Sequence, residues 1–81
     1  MKIKYDAKIT YSMDKDHPDI KYAGDWTEDK IYTFEDVYIF EHGCYEAEDI
    51  EAYIKNDLKL IAGGGYNAKH IHNVKFEIKQ I

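Results

Sequence analysis

The residues whose types could support chemistry lie in two short stretches, His42 to Cys44 and Leu60 to Ile78. The second stretch, LIAGGGYNAKHIHNVKFEI, contains three successive glycines followed by an HxH pair. Glycine-rich turns can bind phosphate through their backbone amides. Two histidines at alternate positions of a strand project to the same side, as ligands of one metal ion must. The residue types in this stretch are therefore compatible with anion binding and with metal binding.

The glycine run does not have the arrangement of a phosphate-binding loop. Such a loop, GxxxxGK[ST], follows a strand and begins a helix, so that its amides and the positive end of the helix dipole face the anion. Gly63, Gly64 and Gly65 instead follow a predicted helix, at its negative end, and GGGYNAKH matches no dinucleotide fingerprint. The pattern favours the end of a helix, with Gly63 in the left-handed conformation, and a flexible turn.

A metal site would need His70 and His72 to meet His42 and Cys44, which repeat the same two-residue spacing. All four are suitable zinc ligands by type, but neither pair lies in a CxxC or HExxH pattern. His70 and His72 also continue the predicted apolar face of the last strand, where they would cap the edge of the core. We therefore predict no metal and no cofactor, and keep a metal-binding module built on these four residues as an alternative.

Catalysis is not predicted either. No family signature surrounds Cys44, and a single cysteine after a glycine is usually a small packing residue rather than a nucleophile. The adjacent carboxylate pairs, Glu35 with Asp36 and Glu48 with Asp49, point apart on a strand or a helix and are more typical of a solvated face. We expect a protein that is not an enzyme.

The composition is that of one small domain spanning residues 1–81. The chain is 44% apolar and contains eight tyrosines, enough for a core without disulfides or a structural metal. Its start, MKIKYDAKI, has no apolar segment of signal-peptide type, its apolar runs are too short for a membrane span, and its one cysteine cannot form an internal disulfide. We predict a soluble, cytoplasmic protein without a membrane partner.

Alternation of apolar and polar residues predicts the strands. Residues 2–13, KIKYDAKITYSM, alternate strictly and predict a half-buried strand. Ile20 and Tyr22 predict the beginning of a short second strand. The run from Lys30 to Glu41, rich in β-branched and aromatic residues, predicts a strand that breaks at Glu35 and Asp36, or two strands joined there by a tight hairpin.

A helix is predicted between Tyr45 and Gly65, because apolar residues recur there at steps of three and four. These residues are Ala47, Ile50, Ile54, Leu58 and Ile61. Alternation resumes in the last segment, where the predicted inward face consists of His70, His72, Val74, Phe76 and Ile78. The predicted fold class is α+β, a mainly antiparallel sheet of four to five strands with one helix packed across one face, in the order β-β-β-(β)-α-β.

Acidic residues concentrate in the middle of the chain. Fourteen carboxylates and four lysines lie between Asp14 and Asp57, whereas both ends of the chain are net positive. The sequence contains no arginine, the side chain best suited to bidentate phosphate and base contacts, which argues against direct nucleic-acid binding. Such a field of carboxylates attracts basic protein surfaces instead, although the same carboxylates could simply keep the protein soluble.

Tyrosines reinforce the prediction of a protein interface. The chain has more rings than one face of so small a sheet can bury, and an exposed tyrosine is a good interface anchor because its body is apolar and its tip polar. The tyrosines concerned are Tyr32, Tyr38, Tyr45, Tyr53 and Tyr66. We predict that an acidic, tyrosine-rich surface binds a basic protein surface, through Glu28, Asp29, Glu35, Asp36, Glu48, Asp49 and Glu51 together with Tyr45 and Tyr53.

In its size, acidity and plan of one sheet with one helix, the chain resembles the small phage-encoded inhibitors of bacterial defence, of which anti-CRISPR proteins are the best-known group. The resemblance implies a cytoplasmic, non-enzymatic inhibitor that occupies the nucleic-acid-binding site of a bacterial effector complex. An alternative is a small self-assembling structural or adaptor module, a possible homodimer, in which an edge strand such as Lys2 to Met13 pairs with a copy of itself.

Overall fold

The computed structural model describes residues 2–22, 24–65 and 68–81, which form one antiparallel sheet of three strands with one α-helix across it. The strands are β1 (Lys2–Met13), β2 (Tyr32–Glu41) and β3 (Ile71–Gln80), and the helix α1 (Ala47–Ala62) lies between β2 and β3 in sequence. The strand order is β2-β1-β3. The first strand is therefore central and paired on both sides, so the expectation that it is an edge open to a second copy is wrong.

The α+β class is confirmed, but the prediction of four to five strands is wrong. Ile20 and Tyr22 lie in a short 3₁₀ helix, Ile20–Tyr22, instead of a second strand. In it the Ile20 amide bonds the His17 carbonyl and the Tyr22 amide bonds the Asp19 carbonyl. These local bonds use the backbone groups that a strand would offer to a neighbour. A pattern of only two apolar residues at alternate positions is too short to distinguish a strand from a 3₁₀ helix.

The predicted break at Glu35 and Asp36 is also wrong, because β2 is continuous. All ten of its residues pair with β1, from Glu41 opposite Lys2 to Tyr32 opposite Tyr11. Asp36 faces the helix side of the sheet, where Ala7 is its small cross-strand neighbour. Its carboxylate accepts a 2.8 Å hydrogen bond from the Val37 amide, which satisfies the acidic group locally and lets the strand continue.

The core lies between α1 and the central strand. Ile50, Ile54 and Leu58 are buried against Ala7 and Ile9 of β1, which confirms the predicted helix and its inward stripe. The two ends of that stripe differ from the prediction. Ala47 is exposed, and Ile61 is 42% exposed while Ala62, the next residue, is buried. Each buried aliphatic side chain contributes about 1.5–3 kcal/mol, so these contacts dominate the stability of so small a domain.

A β-bulge in β3 overturns the predicted placement of the histidines. Thr10 pairs with Lys75, whereas Ser12 pairs with His72, so β3 contains one extra residue between these two pairs. Asn73 lies in this interval with φ 53°, a left-handed conformation that asparagine tolerates better than most residues. The bulge reverses the alternation. As a result Ile71, and not His72, packs against the core on the same side as Val74.

The glycine run ends α1, as predicted, but with a different residue in the left-handed conformation. Gly63 has φ −80°, whereas Gly64 and Gly65 have φ 70° and 81°. The Gly65 amide bonds the Leu60 carbonyl at 2.8 Å and the Gly64 amide bonds the Ile61 carbonyl at 3.1 Å. This pair of bonds is a Schellman motif, which satisfies carbonyls that the helix itself leaves free.

A buried histidine that no sequence motif indicates attaches the long connection between β1 and β2 to the end of α1. His17 is only 2% exposed. Its Nε2 lies 2.6 Å from the Ala62 carbonyl oxygen, and its Nδ1 accepts a 3.0 Å hydrogen bond from the Asp19 amide. Since Nδ1 accepts, Nε2 carries the proton and donates. Trp26 holds the same connection to β1, because its indole N–H donates to the Met13 carbonyl at 3.0 Å.

Candidate protein-binding surface

An exposed aromatic cluster lies where the end of β2 meets the beginning of α1. Phe40 is at its centre, with the rings of Tyr45 and Tyr53 each 5.8 Å from it and nearly perpendicular to it. Tyr5 contacts the same phenylalanine at 6.1 Å. Tyr45 and Tyr53 are nevertheless 59% and 58% exposed. The structure thus brings the two predicted partner-binding tyrosines onto one ring, which fixes them while leaving most of their surface in solvent.

Carboxylates lie near these two tyrosines along the chain and on the same side of the helix. Asp49 and Asp57 are four residues before and after Tyr53, so at 3.6 residues per turn they lie on the same side of α1. Glu46 follows Tyr45 and is the residue that precedes the first turn of the helix. We call this surface the tyrosine flank. It comprises Tyr45, Glu46, Asp49, Tyr53 and Asp57, with Phe40 beneath them.

Tyr38 connects the tyrosine flank to the sheet. Its hydroxyl donates a 2.6 Å hydrogen bond to Oδ2 of Asp57, and its ring lies edge-on to Tyr53 at 6.4 Å. Burial of the hydroxyl, together with its bond to the Asp57 carboxylate, raises the pKa of Tyr38 well above its ordinary value. The tyrosine therefore stays protonated and acts as a donor, and the Asp57 carboxylate has a fixed position.

The opposite flank of α1 carries charges that the chain itself compensates. Lys55 pairs with Glu51 at 3.1 Å. The ammonium groups of Lys55 and Lys59 each lie 5.8 Å from the ring of Phe76 on β3. Glu48, three residues before Glu51, shares this side of the helix. Of the predicted carboxylates on α1, only Asp49 therefore lies beside the tyrosines, and both lysines of the helix lie away from it.

The remaining predicted residues do not join this surface. Glu28 and Asp29 are exposed in the connection that precedes β2. Glu35 lies on the face of the sheet that α1 leaves open, directly opposite Lys8. Asp36 lies on the helix side but turns its carboxylate to the Val37 amide. The nine predicted residues are thus distributed over several surfaces, and the structure groups Tyr45, Tyr53 and Asp49.

Charge is nonetheless distributed unevenly between the two sides of the sheet. The open face carries five lysines and four carboxylates in a nearly alternating pattern, with Lys8 and Glu77 3.7 Å apart. Its charged residues are Lys2, Lys4, Asp6, Lys8, Glu35, Glu41, Lys75, Glu77 and Lys79. The rest of the chain contains twelve carboxylates and six lysines. The excess negative charge therefore belongs to α1 and the connection between β1 and β2.

The four candidate metal ligands cannot bind one ion. His42 and Cys44 follow Glu41, which pairs with Lys2, whereas His72 pairs with Ser12. These two points are ten residues apart on β1, or about 33 Å at ~3.3 Å per residue. Within residues 2–22, 24–65 and 68–81, the structure places no three histidine, cysteine or acidic side chains together as a metal site.

His70 has a different role, at the end of the sheet. Its Nδ1 lies 3.3 Å from the Asp14 carboxylate, which joins the beginning of β3 to the end of β1. Desolvation acts to raise the pKa of Asp14. Hydrogen bonds from the Asp16 amide and from His70, together with the charge of His70, outweigh it and hold that pKa below its ordinary value.

Three residues of the tyrosine flank were not predicted from the sequence. They are Phe40, Glu46 and Asp57. The position of Asp57, one turn after Tyr53, was visible in the sequence once the helix had been recognised. The contact of Phe40 with Tyr45 was not, because it depends on how α1 crosses β2. Tyr66, also among the predicted exposed rings, lies outside the described residues.

None of the described helices is long and apolar enough to cross a membrane. Comparison with known proteins adds no family to this geometry. No protein-family model matches the chain, and no curated protein or solved structure is significantly similar to it.

Proposed function

We propose that this protein is a non-enzymatic, protein-binding inhibitor whose tyrosine flank binds a basic surface on a nucleic-acid-binding effector. The observation that carries the proposal is the pair of exposed rings, Tyr45 and Tyr53, packed on Phe40, where Asp49 and Asp57 share the side of α1 that carries Tyr53. Aromatic anchors at the centre of a polar rim are the usual composition of energetic hot spots in interfaces. Because the rings already have fixed contacts, little conformational entropy would be lost on binding.

Electrostatics favours a basic partner over other classes. The side of the molecule that carries the tyrosine flank holds the excess of carboxylates, whereas the open face of the sheet is nearly neutral. A negative surface repels nucleic acid and accelerates encounter with a positively charged groove, and the attraction falls as salt is added. A protein that covers such a groove would prevent DNA or RNA from entering it.

The general resemblance to small phage-encoded inhibitors of bacterial defence agrees with this mode of action. On that basis the effector would be a bacterial defence complex, as for anti-CRISPR proteins, and the protein would act in the cytoplasm. Stoichiometric occupation of the groove is the proposed mechanism. It needs a surface and no catalytic group.

The proposal is tested by differential capture from a bacterial lysate. The wild-type protein and a Tyr53→Ala, Asp49→Lys variant would serve as bait, with Glu77→Lys on the open face as the control for added positive charge. We expect a basic protein to be captured by the wild type and the control, lost from the double variant, and displaced by DNA or RNA. Equal capture by all three baits, or a captured protein that nucleic acid does not displace, would refute the proposal.

Self-association remains a second candidate, through a different strand from the one predicted. The edges of the sheet are β2 and β3. On β2 the Val37 amide is already bonded to the Asp36 carboxylate, a feature that discourages pairing with another strand. The edge of β3 is therefore the better place for a second copy. Sedimentation equilibrium at high concentration tests this directly, since a monomer would exclude the homodimer.

A further inference from the structure

We propose that the tyrosine flank binds arginine side chains selectively over lysine, in an arginine-rich segment of the protein partner. This inference rests on the proposed function, because it assigns the chemistry of the residues that the flank would meet. In the proposed contact a guanidinium lies over the face of Tyr53 or Tyr45, and a neighbouring carboxylate, Asp49 for Tyr53 or Glu46 for Tyr45, pairs with its N–H groups.

Contacts elsewhere in the chain supply the first argument. The ammonium of Lys21 lies 5.0 Å from the ring centre of Tyr22, and that of Lys30 lies 5.4 Å from Tyr32. Phe76 has Lys55 and Lys59 within 5.8 Å. Among the described lysines none lies over the ring of Tyr45 or Tyr53. Two of the most exposed rings, Tyr45 and Tyr53, thus have no described lysine over them.

The geometry of the rings supplies the second argument. Phe40 meets both tyrosines nearly perpendicularly, at interplanar angles of 74° and 87°. A ring face attracts a cation through its negative quadrupole, and this attraction is strongest when the ring is held in place and partly desolvated. Asp49, one helical turn before Tyr53, lies on the same side of α1 as this ring.

Arginine fits this combination better than lysine. The guanidinium is planar, so it stacks on an aromatic ring while its N–H groups form two parallel bonds to a carboxylate. It is also less strongly hydrated than an ammonium and loses less on leaving water. The chain contains no arginine at all. An arginine in this contact therefore comes neither from these 81 residues nor from a second copy of them, and we assign it to another protein.

Two matched peptides test the inference with the purified full-length protein. They are acetylated, amidated and fluorescein-labelled (Gly-Arg)₅ and (Gly-Lys)₅, which carry equal charge, and binding is measured by fluorescence anisotropy at about 150 mM salt. Two cation–π contacts that favour arginine predict that (Gly-Arg)₅ binds about tenfold more tightly. A Tyr45→Leu, Tyr53→Leu variant should bind both peptides with nearly equal affinity.

The control variant is Tyr22→Leu, which removes a ring that is 77% exposed but already has Lys21 over it. It should leave the tenfold preference unchanged, and far-ultraviolet circular dichroism would show that both variants are folded. Equal binding of the two peptides to the wild type, no binding of either peptide, or a preference that survives loss of both tyrosines would overturn the inference. Equal binding that is lost on Asp49→Lys would overturn it while leaving the proposed electrostatic docking intact.

Discussion

The Tyr38 hydroxyl and the Asp57 carboxylate lie 2.6 Å apart and join β2 to α1 beneath the tyrosine flank. Tyr38 also contacts Tyr53, which in turn contacts Phe40. One continuous set of contacts therefore runs from the sheet, through the partly buried Tyr38 hydroxyl, to the exposed rings. The proposed binding surface is part of the packed structure of the domain, and its shape depends on the same bond that stabilises the helix against the sheet.

Replacing Tyr38 by phenylalanine should destabilise the domain while keeping its ring contacts. The change removes a bond to a charged acceptor and leaves the Asp57 carboxylate without that donor, a loss of about 1–2 kcal/mol in the free energy of unfolding because Asp57 is only partly buried. Asp57→Asn retains an acceptor oxygen and should cost less. Urea denaturation measures both. Equal midpoints for the wild type and Tyr38→Phe would show that the bond contributes nothing.

The same hydroxyl predicts how stability depends on alkaline pH. Burial and the bond to Asp57 raise the pKa of Tyr38 in the folded state above its value in the unfolded chain, which is about 10. The contribution is therefore complete below pH ~10 and is lost as the pH rises beyond it, because the unfolded chain then releases the proton more readily than the folded protein. The Tyr38→Phe variant has no hydroxyl proton to release at this position, so its stability lacks this dependence on pH.

The difference in unfolding free energy between the wild type and Tyr38→Phe should accordingly shrink between pH 9 and pH 11. Urea titrations of the two proteins at a series of pH values measure this difference directly. Lysines and the other tyrosines also titrate in this range, and subtraction of the two proteins removes most of their contribution. A difference that stays constant with pH would contradict the raised pKa of Tyr38.

The contact between Asp14 and His70 should make stability depend on pH in the opposite direction, so that stability is lost as the pH falls. The pKa of Asp14 is held below its ordinary value, so its contribution is present above pH ~4 and is lost as the pH falls through the folded-state pKa. Asp14→Asn should lower stability at pH 6. Below pH 4 the variant should lose less stability than the wild type as the pH falls further. The effect should be small and reduced by salt, because both side chains are partly exposed. Thermal denaturation at pH 3, 4 and 6 measures it.

Local patterns in the sequence were sufficient to predict the helix and the long strands. The spacing of Ile50, Ile54 and Leu58 identified the inward side of α1, and strict alternation in residues 2–13 identified β1. These predictions succeeded because each depends only on the period of one element. The order of the strands did not follow from any local pattern. Nothing within residues 2–13 shows that β3 pairs with β1 on the side opposite β2.

The wrong placement of the histidines originates in a single residue that alters the backbone. Asn73 adopts a left-handed conformation, and the resulting bulge moves His72 to the other side of the sheet from Val74. The tyrosine flank was predicted in part, because exposure of surplus rings follows from composition, but Phe40 and Asp57 required the angle between α1 and β2. The anchoring role of His17 depends on a carbonyl forty-five residues away and left no local signal.

Gly64 and Gly65, which follow α1, provide a test of how tightly the end of the helix packs against the connection between β1 and β2. Both Gly64 and Gly65 have positive φ, so an alanine at either position costs about 1 kcal/mol in backbone strain. A Cβ on Gly64 would also lie 2.7 Å from Cγ of Pro18, beside the buried His17, whereas a Cβ on Gly65 would meet no atom of the described residues within 4 Å. Gly65→Ala therefore controls for backbone strain, and Gly64→Ala adds the steric conflict.

We expect Gly65→Ala to lower the free energy of unfolding by about 1 kcal/mol and Gly64→Ala by about 2–4 kcal/mol, because overpacking adds about 1–3 kcal/mol. Urea denaturation of the two variants measures the difference. If the conflict displaces the loop, the ring of His17 should lose its bond to Ala62, and its imidazole signals in a ¹H–¹⁵N NMR spectrum should shift in Gly64→Ala alone. Equal destabilisation by the two substitutions would mean that Pro18 does not pack tightly against Gly64 in solution.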